Sequence, residues 1–358
     1  MRAAIMTAVD TPLSVEEVTP IGLEPRDVLV RITASGLCHS DLLFLAGVGR
    51  FPPPMVLGHE GAGVVEELGR DVRSLAVGDR VICSWVTSCG DCRLCLGGQA
   101  YLCDGLAEAW SEPKLRTAAG TEVLEMLGVG SFAEAAVVDE RALVKVETDL
   151  PDGQLALIGC GVTTGVGAAL NTAQVSPGST VAVFGCGGVG QSVVQGARIA
   201  GAARIVAVDP VELKRSAALR LGATDAVDPT EGDPAEAVRS LTDGGADYAF
   251  DAAGLEQTMG PAYNSLRRGG TLVLVGIPRP DQRIPWPPVD QILTGKKVLG
   301  CLYGSADVRR DFPRLVELAE QGKLDLASMV SRTISLDEVN EGLEAIERGE
   351  VIRSVIVN

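Results

Sequence analysis

The stretch VAVFGCGGVGQS, Val181–Ser192, decides how the second half of the chain folds. Its apolar start is typical of a buried strand, and Gly185, Gly187 and Gly190 follow in G-x-G-x-x-G spacing where a helix would open. The first glycine permits a tight turn, the second lets the backbone approach a pyrophosphate, and the third lets helix and strand pack closely. The helix N-terminus would then offer free N–H groups to the phosphates. The stretch predicts a dinucleotide-binding loop.

Strand and helix patterns alternate along the chain from this stretch onward. The alternation starts at about residue 178 and continues through RIVAVD, PVELKRSAALRLGA and GGTLVLVGIP. It predicts a doubly wound parallel sheet with helices on both faces. RIVAVD ends in Asp209, where a carboxylate can bind the adenosine ribose hydroxyls and would repel a 2′-phosphate. The PVELK that follows offers no arginine in its place. The sequence therefore favours NAD over NADP.

The first 155 or so residues have a different pattern of apolar runs and turn residues. Short β-prone runs such as DVLVRITASG and FAEAAVVDE are separated by glycine and proline, which predicts an irregular β-rich domain. A chain of 358 residues exceeds the usual size of one hydrophobic core, so two domains are expected. The predicted fold class is α/β.

The composition of the chain limits the kinds of molecule that it could bind. The formal charge of −16 argues against nucleic acid and anionic membrane surfaces, since either needs a basic patch. The sequence shows no run of eighteen or more apolar residues and no signal-peptide core, so a soluble cytoplasmic protein is expected. In a reducing cytoplasm, clustered cysteines are more often metal ligands or catalytic groups than disulfides.

Four of the nine cysteines lie within the stretch CGDCRLCLGGQAYLC. The four are Cys89, Cys92, Cys95 and Cys103. Their spacing suits a closed tetrahedral zinc site with no vacant position, and structural zinc is the favoured interpretation. An iron–sulfur cluster is an alternative, although the last gap is longer than in a bacterial ferredoxin run. A redox dithiol is a third.

Both histidines of the chain lie beside potential metal ligands. A catalytic zinc site needs three protein ligands and one open position. Cys38 in GLCHSD and His59 in LGHEGAG can supply two of the ligands. Cys160 in LIGCGVTTG, isolated between glycines, is the best candidate for the third.

Together these residues resemble the zinc-dependent medium-chain alcohol dehydrogenase family. The resemblance runs nearly end to end, through GLCHSD, GHEGAGVVEELG, the four-cysteine lobe, the glycine-rich segment and the terminal IRSVIV. It implies a GroES-like catalytic domain at residues 1–161 and 303–358, with a structural zinc lobe at about 86–127. It implies a Rossmann NAD-binding domain at 162–302, two zinc ions per chain, and a homodimer or homotetramer with subunit contacts near VLGCLYG.

The resemblance also implies roles for individual residues. The catalytic zinc ligands would be Cys38, His59 and Cys160, and the structural zinc ligands the four lobe cysteines. Glu60 would lie close behind the catalytic metal, Asp41 would orient the ligand histidine, and Ser40 would receive the substrate's proton. The predicted cofactor contacts are Gly185, Gly187, Gly188, Val189, Gly190, Asp209, Lys214, Thr164, His39, Val275, Ile277, Tyr303 and Arg353. The predicted substrate pocket comprises Ser40, Trp85, Met126, Ile277 and Leu302.

Two departures from the family pattern bear on function. Leu43 stands where many members have a proton-relaying histidine, so the relay would use His39 or water. Ala107 stands where glutathione-dependent formaldehyde dehydrogenases have an arginine, with Glu108 and Glu112 nearby. The apolar pocket positions favour an uncharged primary alcohol or aldehyde with a hydrophobic body. Aromatic alcohols belong to this class. The alternatives are a formaldehyde dehydrogenase using another thiol and a non-catalytic zinc and nucleotide sensor.

Overall fold

The computed structural model describes residues 1–48, 52–284 and 288–358. It divides into two compact units. The first comprises Met1–Cys160, Asp307–Gly322 and Val330–Asn358, and the second comprises Gly161–Ala306 and Lys323–Met329. The sequence prediction assigned residues 1–161 and 303–358 to the catalytic domain, whereas Gly161 and residues 303–306 and 323–329 group with the second unit.

The described residues contain eighteen strands. They are β1 (Arg2–Met6), β2 (Ser14–Pro20), β3 (Asp27–Gly36), β4 (Met55–Val56), β5 (Glu60–Leu68), β6 (Arg80–Cys83), β7 (Leu115–Thr117), β8 (Glu122–Glu125), β9 (Ala135–Asp139), β10 (Leu143–Lys145), β11 (Thr180–Phe184), β12 (Arg204–Val208), β13 (Asp225–Val227), β14 (Ala246–Asp251), β15 (Leu266–Leu274), β16 (Lys297–Gly300), β17 (Val330–Ile334) and β18 (Arg353–Val357).

Helices connect and cover these strands. The α-helices are α1 (His39–Leu45), α2 (Arg93–Leu96), α3 (Asp152–Leu157), α4 (Thr163–Gly167), α5 (Gly188–Ile199), α6 (Glu212–Leu221), α7 (Pro234–Leu241), α8 (Glu256–Asn264), α9 (Pro288–Thr294), α10 (Val308–Glu320) and α11 (Val339–Glu347). Two π-helical segments, Ile158–Val162 and Ala168–Thr172, flank α4.

The first unit is built from two β-structures. Strands β1, β2, β7, β8 and β4 form a closed barrel. A seven-stranded sheet runs in the order β10-β6-β5-β3-β18-β17, with β9 also paired to β3. The C-terminal strand β18 is antiparallel to β3, so the tail of the chain completes this sheet.

The second unit contains one parallel sheet in the order β13-β12-β11-β14-β15-β16. The chain order reverses between β11 and β14, which makes the carboxyl ends of these two strands the topological switch point. Strand β12 is buried along almost its whole length, as expected where helices cover both faces of a sheet. The predicted doubly wound α/β fold is confirmed.

One helical stretch, Asp152–Thr172, is long and apolar enough to cross a membrane by length and composition alone. Its most apolar window is 83% buried inside the protein. Such burial is typical of the core helix of a globular fold, in which an apolar stretch packs against other apolar side chains.

A buried carboxyl in the first unit makes stability depend on pH. Glu125, at the end of β8, is almost fully buried. Its Oε2 accepts a hydrogen bond from the Lys114 backbone N–H over 3.3 Å. Its Oε1 has no hydrogen-bond partner among the described residues. Burial raises the pKa of Glu125 to about 8. Because the folded state binds this proton more tightly than the unfolded state, the stability contribution falls as pH rises from about 4.5 to about 8.

We therefore expect Glu125→Gln to unfold at a higher temperature than the wild type at pH 9 and at a similar temperature at pH 5. The glutamine keeps the acceptor oxygen for Lys114 and removes the buried charge. Thermal unfolding at pH 5, 7 and 9 measures the effect, with the exposed Glu122→Gln of the same strand as the matched control. Equal pH profiles for Glu125→Gln and the wild type would contradict the assignment.

Candidate active site

The fold brings two distant candidate ligands together at one end of the β3–β5 pair. Gly36 of β3 lies opposite Glu60 of β5. Cys38 follows β3 and precedes α1, and His59 comes directly before β5. The antiparallel register therefore places these two side chains next to each other.

The third candidate ligand, Cys160, lies in the π-helical segment Ile158–Val162. Such segments are rare and occur often at functional sites. Gly159 is needed here for close approach, because a Cβ on it would lie 2.8 Å from the Cys83 carbonyl oxygen. The backbone of this segment thus packs tightly against β6.

The metal-binding atoms of this cluster lie within 4.8 Å of one another. The cluster consists of Cys38, His59, Glu60 and Cys160, all buried. His59 Nε2 is buried and has no hydrogen-bond partner among the described residues, a costly arrangement that a metal bond would satisfy. Two thiolates and an imidazole are the ligand set of a catalytic zinc that keeps an open position. The residues present therefore fit a zinc ion.

Asp41 organises the cluster from behind. Its Oδ1 lies 3.1 Å from His59 Nδ1, and its Oδ2 accepts the Cys38 backbone N–H over 2.8 Å. Both side chains are fully buried, so the contact fixes the ring orientation and leaves Nε2 for a ligand bond. Burial alone would lower the pKa of His59, but Asp41 and Cys38 raise it well above its ordinary value.

The pKa values of the two thiols in the cluster are shifted in opposite directions. A hydrogen bond from Cys160 holds the pKa of Cys38 well below its usual range, while the same hydrogen bond raises the pKa of Cys160. One cysteine is thus already disposed to be a thiolate, the form that binds metal.

Glu60 forms an ion pair with Arg353, a residue that the sequence analysis assigned to the pyrophosphate of the cofactor. Arg353 Nη2 lies 3.0 Å from Glu60 Oε1, and its Nη1 donates to the Leu37 carbonyl oxygen over 2.8 Å. Burial raises the pKa of Glu60 to about 8 even though Arg353 lowers it. Sequence reasoning missed this buried ion pair, and the pyrophosphate contact of Arg353 stays a prediction.

Helix α1 carries the residues predicted for proton transfer. His39, its first residue, is exposed, and Ser40 is half-buried with its Oγ 3.7 Å from Cys38 Sγ. Leu43 is also half-buried. A hydroxyl therefore stands beside the candidate metal ligands, whereas no imidazole stands at the Leu43 position.

The four lobe cysteines form a second, separate cluster. Their sulfur atoms also lie within 4.8 Å of one another. Backbone N–H groups point at three of them, as when the Cys92 N–H donates to Cys89 Sγ over 3.3 Å and the Cys95 N–H to Cys92 Sγ over 3.4 Å. Backbone N–H groups of Asp104 and Cys95 lower the pKa of Cys92 to about 6. Four sulfur ligands with such donors fit a closed, structural zinc site.

The glycine-rich loop of the second unit has the predicted geometry. Gly185 has φ +86° and follows β11, while a Cβ on Gly190 would lie 1.9 Å from the Gly185 carbonyl oxygen. Gly187 precedes α5, and a Cβ there would meet nothing within 4 Å. The third glycine is thus required for packing, and the second leaves open space at the N-terminus of α5, where a phosphate would fit.

Asp209 lies at the carboxyl end of β12 and supports the loop. Its Oδ2 accepts the Cys186 backbone N–H and its Oδ1 the Val211 backbone N–H, each over 2.8 Å. Arg215, which the sequence prediction overlooked, donates to the Asp209 carbonyl oxygen over 2.7 Å and pairs with Asp228 over 2.9 Å. The first arginine that follows Asp209 in the sequence is therefore already engaged.

Other predicted cofactor residues lie in the same unit. Val189, a predicted contact, lies at the start of α5, where Gly165 packs so closely that a Cβ on it would lie 2.3 Å from the Val189 carbonyl oxygen. Tyr303 is buried with a left-handed φ of +53°. The structure also places these predicted contacts in the second unit: Thr164, Gly188, Lys214, Val275 and Ile277. Their contact with a dinucleotide stays a prediction.

The predicted substrate pocket is only partly assembled within one unit. Met126 is fully buried in an apolar cluster, and Trp85 is half-buried, with its ring 6.2 Å from that of Trp110. Ile277, which is 57% exposed, and Leu302 lie in the second unit. The contact between Trp85 and Trp110 was not predicted from the sequence. The substrate contacts of these residues stay predictions.

Comparison with known proteins identifies the class. Residues 24–148 match the family model described as alcohol dehydrogenase GroES-like domain, and residues 188–321 match that described as zinc-binding dehydrogenase. The chain belongs to the zinc-binding, medium-chain alcohol dehydrogenase family. It is an oxidoreductase of that class, whose members use zinc and a nicotinamide dinucleotide, as the sequence predicted.

Three relatives show the range of the family. The chain is 39% identical to a geraniol dehydrogenase of Castellaniella defragrans, covering 99% of this chain and 97% of the relative. It is 37% identical to an S-(hydroxymethyl)glutathione dehydrogenase of Synechocystis, covering 99% of each. The crystal structure of benzyl alcohol dehydrogenase from Acinetobacter calcoaceticus superposes with a TM-score of 0.93 at 31% identity, covering 99% of this chain and 98% of that one.

Proposed function

We propose that this protein oxidises uncharged primary alcohols with a hydrophobic body, and reduces the matching aldehydes, with NAD as the hydride carrier. The observation that carries the proposal is the buried cluster of Cys38, His59 and Cys160, in which His59 Nε2 has no hydrogen-bond partner among the described residues. Two similar proteins are named for geraniol and benzyl alcohol, both uncharged alcohols with hydrophobic bodies.

The residues divide the work as follows. Cys38, His59 and Cys160 would hold zinc, a Lewis acid that would lower the pKa of the alcohol hydroxyl. Asp41 keeps the His59 ring in the orientation that frees Nε2. Ser40 Oγ, next to Cys38, would accept the alcohol proton while it passes its own hydroxyl proton onward. The lobe cysteines would hold a second zinc that has no open position.

The proton needs an exit beyond Ser40. A leucine side chain cannot carry a proton, so Leu43 ends the path that many family members use. His39 is exposed at the start of α1 and is the remaining histidine once His59 binds metal. We infer that the proton leaves through His39 or through water.

Asp209 supports NAD as the preferred dinucleotide. Its carboxylate ends β12, where the adenosine ribose binds in this fold, and a 2′-phosphate would meet that negative charge. Arg215 could otherwise have bound such a phosphate, but it is paired with Asp228 and Glu212. The ratio of kcat/KM values for NAD and NADP tests this preference.

A second candidate is a thiol-dependent formaldehyde dehydrogenase. The observation that favours it is the 37% identity to an S-(hydroxymethyl)glutathione dehydrogenase. Ala107 and the neighbouring Glu108 speak against an anionic conjugate, because neither offers positive charge to a carboxylate. Family membership favours either enzyme over a non-catalytic sensor.

Initial rates of NAD reduction separate the two candidates. The purified enzyme is assayed with benzyl alcohol, geraniol and ethanol, and separately with formaldehyde in the presence and absence of glutathione. We expect the highest kcat/KM for the two hydrophobic alcohols. Turnover of formaldehyde that requires the thiol and exceeds that of every alcohol would transfer the assignment to the second candidate.

The second unit ends in an exposed apolar edge. Strand β16 is the last strand of its sheet, and helix α9 before it exposes large apolar side chains. The exposed residues are Val289, Ile292 and Leu293 of α9 and Leu299 of β16. Because an uncovered strand edge of this kind promotes association, we expect a homodimer or homotetramer that uses the VLGCLYG region. Light scattering coupled to size-exclusion chromatography checks this, and a monomer at micromolar concentration would contradict it.

The remaining expectations from the sequence concern location and other partners. A cytoplasmic location stays a prediction. The lack of nucleic acid or membrane partners also stays a prediction, which follows from the charge of −16.

A further inference from the structure

Asp251 is a buried carboxyl at the carboxyl end of strand β14 in the second unit. It ends β14, lies opposite Phe184 of β11, and is fully buried. Strands β11 and β14 are the pair between which the order of the parallel sheet reverses. Ligands of open α/β sheets bind outside the carboxyl ends of such strands.

The carboxylate holds the loop that follows it. Its Oδ2 accepts the Gly254 backbone N–H over 3.0 Å, and its Oδ1 accepts the Thr258 hydroxyl over 2.6 Å. Gly254 has a left-handed φ of +70°. The side chain therefore fixes loop residues 252–254 and joins the loop to the first turn of α8.

That loop is wedged between two segments predicted to contact the dinucleotide. On one side, a Cβ on Gly185 would lie 2.9 Å from the Ala253 backbone nitrogen. On the other, a Cβ on Gly276 would lie 2.2 Å from the Gly254 backbone nitrogen. Neither segment can keep its position if the loop moves, because backbone meets backbone on both sides with no room for a side chain.

The main chain of Asp251 reinforces the same arrangement. Its carbonyl oxygen accepts the backbone N–H groups of Val275 and Gly276, each over 2.9 Å, and the next residue, Ala252, donates to the Phe184 carbonyl oxygen over 2.8 Å. Asp251 and its neighbour Ala252 thus connect three segments: the glycine-rich turn, loop 252–254 and residues 275–277.

We propose that Asp251 is a positioning residue for the dinucleotide: its ionised carboxylate holds loop 252–254 so that the Gly185 turn and the Gly276 segment present their backbones to the cofactor. This role rests on the proposed use of a dinucleotide by the second unit and makes no assumption about the alcohol. Asp251 itself need not touch the cofactor.

The role has a consequence for pH. Burial raises the pKa of Asp251 to about 6, and hydrogen bonds from Thr258, Gly254 and Ala253 lower it again in part. The strand neighbours at the same level, Phe184 and Leu274, do not titrate, and Glu256 of α8 is exposed. Because the loop needs the ionised form, dinucleotide affinity should fall as pH drops through about 6.

The test is calorimetric titration of the full-length, zinc-loaded enzyme with NAD⁺ and with ADP-ribose at pH 5.5, 6.5 and 7.5. ADP-ribose lacks the nicotinamide, so its binding is independent of the alcohol site. We expect the wild type to bind both ligands about fourfold more weakly at pH 5.5 than at pH 7.5. Asp251→Asn should bind both about tenfold more weakly at pH 7.5, with little further change at pH 5.5.

The matched variant is Thr258→Val, which removes one hydrogen bond and keeps the carboxylate. We expect it to bind roughly threefold more weakly and to retain the pH dependence. If Asp251→Asn fails to fold, Thr258→Val decides: unchanged affinity at every pH overturns the proposal. Asp251→Asn with wild-type affinity also overturns it. Failure of the wild type to bind NAD⁺ at all would instead overturn the proposed function.

Discussion

Replacing Cys38 with serine should abolish most alcohol oxidation while leaving the fold and the second metal in place. Cys38 belongs to the cluster whose atoms lie within 4.8 Å, and a neutral hydroxyl is a far poorer zinc ligand than a thiolate. Loss of outer contacts to metal ligands alone costs about 10–100-fold, so the loss of a ligand should lower kcat/KM for benzyl alcohol by at least about 100-fold.

Three measurements define this outcome. Metal analysis should find close to two zinc ions per chain in the wild type and close to one in Cys38→Ser. Dinucleotide binding should be unchanged, since the glycine-rich loop belongs to the second unit. Cys83→Ala is the control, because Cys83 is also buried but belongs to neither cluster. Activity within a factor of about three of wild type in Cys38→Ser would refute the assigned ligand set.

Replacing Cys95 with serine should produce the opposite pattern. Between residues 89 and 110 the lobe contains only short elements, α2 and single turns around residues 100–102 and 108–110, so little besides the metal can hold this part of it. Structural zinc contributes roughly 10–16 kcal/mol of apparent binding energy in small zinc peptides. We expect a marked fall in thermal stability and faster proteolysis within the lobe, with the catalytic zinc retained.

The readouts for Cys95→Ser are the melting temperature, the zinc content and the sites of limited proteolysis. Cys83→Ala again serves as the control, with two zinc ions and no new cleavage in the lobe. A Cys95→Ser protein that melts like the wild type and has specifically lost hydride transfer would show that the lobe site takes part in the chemistry.

Local patterns in the sequence predicted the second unit well. The glycine spacing, the apolar strand and Asp209 lie close together in the chain, and their geometry depends on neighbours in sequence. Gly190 illustrates this, since the steric reason for its lack of a side chain is the Gly185 carbonyl five residues earlier. The lobe cysteines are also local, so their clustering followed from spacing alone.

Long-range pairing could not be predicted from the same kind of pattern. The Arg353–Glu60 ion pair joins residues far apart in the chain, and a charged residue gives no periodic signal of its partner. The grouping of residues 323–329 with the second unit has a similar cause. Gln195 exchanges hydrogen bonds with the backbone of Asp325 in both directions, a contact visible only in three dimensions.

Asp251 and Glu125 were missed for another reason. Each follows a run that looks like an ordinary strand end, where an acidic residue is usually solvated. Only their burial separates them from such residues, and burial depends on what the rest of the chain packs above them.

The pairing of β3 with β18 sets the order in which the protein can be completed during synthesis. Val355 lies opposite Gly36, about 320 residues away in the chain, and β18 occupies an interior position of its sheet. At about 5–20 residues per second, the ribosome needs roughly 16–64 s to make the missing strand after β3 has emerged. The parallel sheet of the second unit ends at Gly300 and can close earlier. Once β16 is made, the nascent chain thus has a complete parallel sheet in the second unit, while the sheet of the first unit still lacks β17 and β18. The incomplete sheet is the surface that a chaperone would have to cover.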